Sequence, residues 1–219
     1  MPKYKVAVFD MDGTILNTLD DMTVACNHTL SAMGMPLRTM DEIRMFVGNG
    51  IPKLVERIAP AGTDEATMKK MLEIFMEFYS AHSMDKTGPY AGVPELLKKL
   101  KDNGIKLACV SNKADAAMRK LCDEFFNGLF DDAEGERAGV NKKPAPDMVW
   151  AALEKIGAEK KDAVYIGDSN VDYETAVNSE IDCISVSWGF RSREFLEDLG
   201  SKCIVDTPEE VFDVIMSER

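Results

Sequence analysis

The stretch Val8-Phe9-Asp10-Met11-Asp12-Gly13-Thr14-Ile15-Leu16-Asn17-Thr18, VFDMDGTILNT, decides the fold of this chain. It opens as the end of an apolar run, YKVAVF over residues 4–9, and then places two carboxylates one residue apart, followed at once by Gly13 and Thr14. A short, nearly continuous apolar run suits a parallel strand covered on both faces. Nothing about ending a strand requires two like charges side by side, so Asp10 and Asp12 need a chemical reason.

Three more runs of the same character follow: IKLACV (105–110), DAVYIG (162–167) and DCISVS (182–187). Helical segments separate them. In GVPELLKKLKDNG, Pro94 suits the first turn of a helix and Gly104 the position past its end. TPEEVFDVIMSER carries a capping box, Thr207 with Glu210, and Pro208 at the first helical position. Strands alternating with such helices predict an α/β fold with a mostly parallel, doubly wound, Rossmann-like sheet.

Between the first run and the second lies a gap of roughly ninety residues, far longer than an ordinary crossover needs. It contains helical stripes, Met22, Ala25, Cys26 and Met33, then Met68, Met71, Leu72, Phe75, Phe78 and Tyr79. This predicts an inserted α-helical domain over residues 16–86, with the α/β core formed by 1–15 and 87–219. The methionines read as filling for a small helical core. His28 and His82 fall at helical spacing inside the insertion and outside any motif, so they read as ordinary helix residues.

The formal net charge of −12 argues against a nucleic-acid partner, because a phosphate backbone is bound by clustered Lys and Arg. It leaves open a small phosphorylated metabolite, which answers to local charge and bound metal. The five cysteines form no CxxC pair and read as reduced thiols of a cytosolic protein. No segment approaches the ~18 apolar residues of a membrane span, and the N-terminal apolar run is too short for a signal peptide. The expectation is a soluble, cytoplasmic monomer or small homo-oligomer.

Ligands of open α/β sheets bind beyond the carboxyl ends of the strands. Four polar clusters fall there: Asp10 and Asp12 after the first run, Ser111 and Asn112 after the second, Asp168 and Asp172 after the third, and Lys142 and Lys143 ahead of a helix from about Ala145 to Ile156. Any one alone reads as a cap or turn former. Four at one edge do not.

In this order and spacing, FDMDGTILNT, VSNK, KPAPD and GDSNVD resemble the four motifs of the haloacid dehalogenase superfamily. PYAGVPELLKKLKDNGIKLACVSNK further resembles phosphoglycolate phosphatases. The resemblance spans essentially the whole chain and implies a phosphatase that uses Mg²⁺ and an aspartyl-phosphate. Asp10 would be the nucleophile and Asp12 the general acid and base. The metal set would be Asp10, Asp12 through its backbone carbonyl, Asp168 and, in support, Asp172. Ser111 and the backbone around Asn112 would contact the phosphoryl oxygens, and Lys143, directly before the proline, would offset their charge. Lys142 reads as a solvated charge. Gly13 would permit the turn off the strand and Thr14 would tie it down, beside the substrate. In the insertion, RMFVGNGIPK resembles a substrate-specificity loop, with Arg44, Gly48, Asn49, Gly50 and Lys53 as candidate substrate contacts. The loop SWGFRSRE, with Arg191, also resembles the family.

The second enzyme class that shares all four motifs is the β-phosphoglucomutase-like isomerases, whose loop around residues 48–50 is less similar. Dehalogenation is disfavoured by Asp12, since a departing halide needs no acid. A phosphonate hydrolase would rely on a cap lysine and lack the second acid. A non-enzymatic relative would have lost a motif residue, and none is lost.

Overall fold

The computed structural model describes residues 2–218. Strand β1 (Val6–Phe9) and the short β2 (Leu16–Asn17) precede four helices: α1 (Leu19–Ala32), α2 (Met40–Phe46), α3 (Ile51–Ile58) and α4 (Glu65–His82). The short β3 (Gly88–Pro89) leads back into α5 (Val93–Asp102), β4 (Lys106–Ala114), α6 (Asp115–Phe126) and β5 (Asp132–Glu136). There follow α7 (Asp147–Ile156), β6 (Ala163–Gly167), α8 (Asn170–Ser179) and β7 (Asp182–Val186). The chain ends with α9 (Arg193–Asp198), β8 (Ile204–Val205) and α10 (Pro208–Met216).

The chain divides into two compact units, one formed by residues up to Leu16 and from Pro89 onward, the other by Asn17–Gly88. In the first unit six parallel strands run in the order β5-β4-β1-β6-β7-β8. The four apolar runs supply β1, β4, β6 and β7. The chain moves from β1 to β4 and β5 on one side, then returns to β6 on the other, so β1 sits at the switch point where such sheets open a crevice. Phe9 is level with Cys109 on one side and Ile166 on the other, which brings the residues just beyond all three strands to one place. One face of the sheet buries Val6, Val8, Ala108, Val110 and Tyr165 against Met148, Val149, Ala152 and Leu153 of α7 and Ala176 of α8.

Thr207 and Glu210 form their capping box ahead of α10. Gly104, just past α5, has φ +80°. Two strands of the six-stranded sheet escape a pattern search. β8 is only two residues long. β5 reads DAEGE, with little apolar content, yet its Glu134 is fully buried. Lys155 of α7 and Arg137 pair with that carboxylate, so a charged strand is accommodated in the sheet. β4 also runs further than its apolar stretch, through a register irregularity between Val110 and Ala114. Ser111, Asn112 and Lys113 therefore lie within the strand rather than after it.

The second unit packs α1 against α2 and α4, and α3 against α4. Its core consists of Met22, Ala25, Cys26 and Leu30 of α1, Ile43 of α2, Leu54 and Ile58 of α3, and the i, i+4 line Met71, Phe75, Tyr79 of α4. His28 and His82 stack on Phe78, with ring centroids 4.0 and 4.4 Å away. The outgoing and returning chains pair as β2 and β3. Asp21, buried in the first turn of α1, accepts from the Lys86 and Thr87 N–H groups and the Thr87 hydroxyl.

Candidate active site

Asp10 follows β1 directly, its backbone N–H continuing the ladder to the Ile166 carbonyl at 2.9 Å. Beyond it the chain makes a tight turn in which the N–H groups of Thr14, Ile15 and Leu16 all converge on the Met11 carbonyl. Gly13 has φ +91°, and a Cβ there would lie 2.6–2.8 Å from the Asp168 carboxylate. Only glycine allows both that backbone and that approach. The turn is thus pressed against Asp168, and the Thr14 hydroxyl donates to Asp168 Oδ1 at 3.1 Å.

Asp168 follows β6, is buried, and accepts from the Phe190 N–H at 2.6 Å through Oδ2. Asp172 lies in the first turn of α8, where the Ser169 N–H and hydroxyl donate to its Oδ2. Its Oδ1 receives Lys143 at 2.8 Å and the Tyr165 hydroxyl at 3.3 Å. Lys143 is buried and also reaches Asp10 at 2.7 Å. It therefore bridges the end of β1 to the start of α8. Asp172 is well placed to aim that ammonium at Asp10.

Among the described residues, Asp10, Asp168 and Asp172 form the one group of potential metal ligands, one oxygen of each lying within 4.8 Å of the others. Burial, followed by the Asp172 charge, pushes the Asp10 carboxyl well above its ordinary range against the pull of Lys143. The same two causes push Asp168 up to about 7, although the Phe190 N–H, Arg191 and Thr14 act in the opposite direction. The three buried carboxylates carry three negative charges when ionised and Lys143 offsets one, which leaves two for a divalent ion to neutralise. The donor set is all carboxylate oxygen, without His or Cys, which fits a hard divalent ion. The carboxylates of Asp10 and Asp172 overcome the cost of burying Lys143 and hold its ammonium well above the usual lysine value.

Around this centre, Lys113 Nζ stands 3.2 Å from Asp12 Oδ1, with only 4% of its side chain exposed. The Ser111 hydroxyl accepts from the Lys113 N–H. The Asn112 side-chain amide donates to the Lys143 carbonyl at 3.0 Å, so it braces the lysine loop. Likewise, the Thr14 hydroxyl is directed at a carboxylate of the site itself. Lys142 pairs with Glu136 outside the cluster. Sequence reasoning missed Lys113, Tyr165, Ser169, Trp188 and Phe190. Lys113 had a visible signal, a lysine two residues after Ser111 in VSNK. Tyr165 read simply as an apolar strand residue.

The candidate residues of the second unit lie on α2, on α3 and in the turn between them. Gly48 (φ +120°) and Gly50 (φ +84°) flank Asn49 between α2 and α3, with Gly50 as the N-cap of α3. Arg57 donates to the Phe46 carbonyl at 2.6 Å and braces this turn. Arg44 pairs with Asp41 at 3.6 Å and Lys53 with Glu56 at 2.6 Å.

A family model of haloacid dehalogenase-like hydrolases matches residues 7–186. The chain belongs to that family. A phosphoglycolate phosphatase of Pseudomonas syringae pv. syringae is 31% identical over 208 residues, covering 92% of this chain and 76% of the relative. Another from Aquifex aeolicus is 30% identical over 187 residues, covering 85% and 86%. A crystal structure from Lactobacillus delbrueckii subsp. bulgaricus, described as a candidate phosphoglycolate phosphatase, superposes with a TM-score of 0.95 at 39% identity over 99% of this chain and all of that one. The hydrolase fold and the carboxylate cluster beyond β1 and β6 are therefore seen together in one chain.

Proposed function

We propose that this hydrolase is a Mg²⁺-dependent phosphatase of small phosphomonoesters, acting through an aspartyl-phosphate on Asp10, with 2-phosphoglycolate as the leading substrate. The observation that carries the reading is the buried Asp10 at the switch-point strand, ion-paired to Lys143 and grouped with Asp168 and Asp172. The phosphoglycolate phosphatases among its relatives support the substrate class.

An Asp10 oxygen attacks phosphorus as the ester P–O bond breaks, and Asp12 donates a proton to the departing alkoxide. In the second half Asp12 takes a proton from water, whose oxygen bonds to phosphorus as the Asp10–phosphorus bond breaks and phosphate leaves. Lys113 faces one oxygen of Asp12 as an ion pair and offsets its charge. Lys143 offsets the charge on the transferring oxygens, and Ser111 and the backbone around Asn112 donate hydrogen bonds to them. Asp10, Asp168 and the Asp12 carbonyl would hold Mg²⁺, with Asp172 in support, and the ion would supply charge neutralisation and Lewis-acid polarisation. Asn17–Gly88 serves as a cap domain, in which Arg44, Lys53 and the Gly48–Asn49–Gly50 turn select the substrate. The five cysteines, none of them paired, are consistent with a cytoplasmic enzyme, and no helix among the described residues is long and apolar enough to cross a membrane.

Phosphate release should be measured on 2-phosphoglycolate, sugar phosphates, nucleotides and pyrophosphate, with Mg²⁺ and with chelator. The expected outcome is release that chelation silences and Mg²⁺ restores. Full activity in excess chelator would exclude the metal role. Conversion of β-glucose 1-phosphate without phosphate release would make the enzyme a mutase.

A further inference from the structure

The loop between β7 and α9 makes three contacts in a row with the site. The Trp188 indole N–H donates to the Thr14 carbonyl at 3.0 Å. Gly189 is so close that a Cβ would lie 2.3 Å from both Asp168 Cβ and the Gly13 carbonyl. The Phe190 N–H donates to Asp168 Oδ2. Thr14 closes the circuit, since its carbonyl accepts from Trp188 while its hydroxyl donates to Asp168 Oδ1. The loop thus holds both the turn after β1 and the carboxylate after β6, two groups that come from different strands.

We infer that Trp188 is a positioning residue for the cation site, a clamp that fixes the Asp10–Thr14 turn against Asp168 before the ion binds. Trp188 itself touches no reacting atom and acts through Thr14. The inference rests on the metal reading above, and it extends that reading to a loop outside the four strand-end clusters. Partners that orient ligands typically contribute 10–100-fold to metal affinity.

The test is Mg²⁺ binding, measured by calorimetry on the whole chain without substrate. Trp188→Phe removes the N–H and should raise the Kd for Mg²⁺ roughly tenfold. Replacing Trp188 by benzothienylalanine, which puts sulfur where the N–H stands and keeps the ring, should do the same without disturbing packing. Thr14→Val should also weaken binding, and adding Trp188→Phe to it should cost much less than Trp188→Phe alone, because the two residues act through one contact chain. An unchanged Kd in the benzothienylalanine protein, or additive losses in the double variant, would reduce Trp188 to a packing residue while leaving the metal site intact. No Mg²⁺ binding by the wild type would overturn both readings together.

Discussion

Asp10 and Asp12 are neighbours of the same type in different surroundings, and the proposed mechanism depends on that contrast. Asp10 faces Lys143, Asp168 and Asp172 in a buried cluster, whereas Asp12 faces Lys113. Asp10→Asn should abolish turnover and binding of beryllofluoride, because the proposed nucleophile is gone. Asp12→Asn should retain beryllofluoride binding while turnover falls by roughly 10²–10⁴-fold, the usual worth of a general acid–base. Near wild-type phosphate release by Asp10→Asn would sink the covalent mechanism.

At the scale of elements, the sheet is stitched to its surroundings by carboxylates that the hydrophobic pattern does not reveal. Asp131, just before β5, accepts from the Leu107 N–H of β4 at 2.8 Å, from Lys101 of α5 at 2.8 Å and from Lys106 at 3.2 Å. Burial works against the charge, but these donors prevail and hold the carboxyl below its ordinary range. A depressed value in the folded state means that the contribution is present above the unfolded value of about 3.9 and is lost as pH falls through the folded one. Asp131→Asn should therefore cost ~1–2 kcal/mol near neutrality, with the gap to wild type closing below about pH 4. Urea unfolding of both proteins across that range measures it. A gap that held steady down to acid would mean that packing, not charge, accounts for the loss.

For the whole molecule, the proposed function divides its tasks between the sheet unit and the helical unit. The chemistry would fall to residues up to Leu16 and from Pro89 onward, and the substrate selection to Asn17–Gly88. A remote anchoring contact supplies binding energy only to substrates that can use it. Arg44→Ala combined with Lys53→Ala should thus lower kcat/KM on 2-phosphoglycolate and spare p-nitrophenyl phosphate, which lacks a carboxylate. The ratio of the two efficiencies, compared between wild type and double variant, is the quantity to measure. An unchanged ratio would remove Arg44 and Lys53 from substrate recognition.

The parallel sheet, the inserted helices and the strand-end positions of Asp10, Asp12 and Asp168 are legible from the amino acids alone, whereas Ser111, expected after β4, lies inside it. Apolar runs of strand length and polar residues at their carboxyl ends are local signals, written within a few consecutive residues. The partnership of residues far apart in the chain is set by the folded arrangement. Lys143 bridging Asp10 and Asp172, Lys113 facing Asp12, and Trp188 holding the Thr14 carbonyl depend on β4, β1, β6 and β7 lying side by side in that order. The same holds for β5, whose buried Glu134 becomes tolerable only once Lys155 and Arg137 arrive to neutralise it. Periodicity reports which face of an element is buried, but a charge can be buried only beside its partner, and that partner is supplied by the fold.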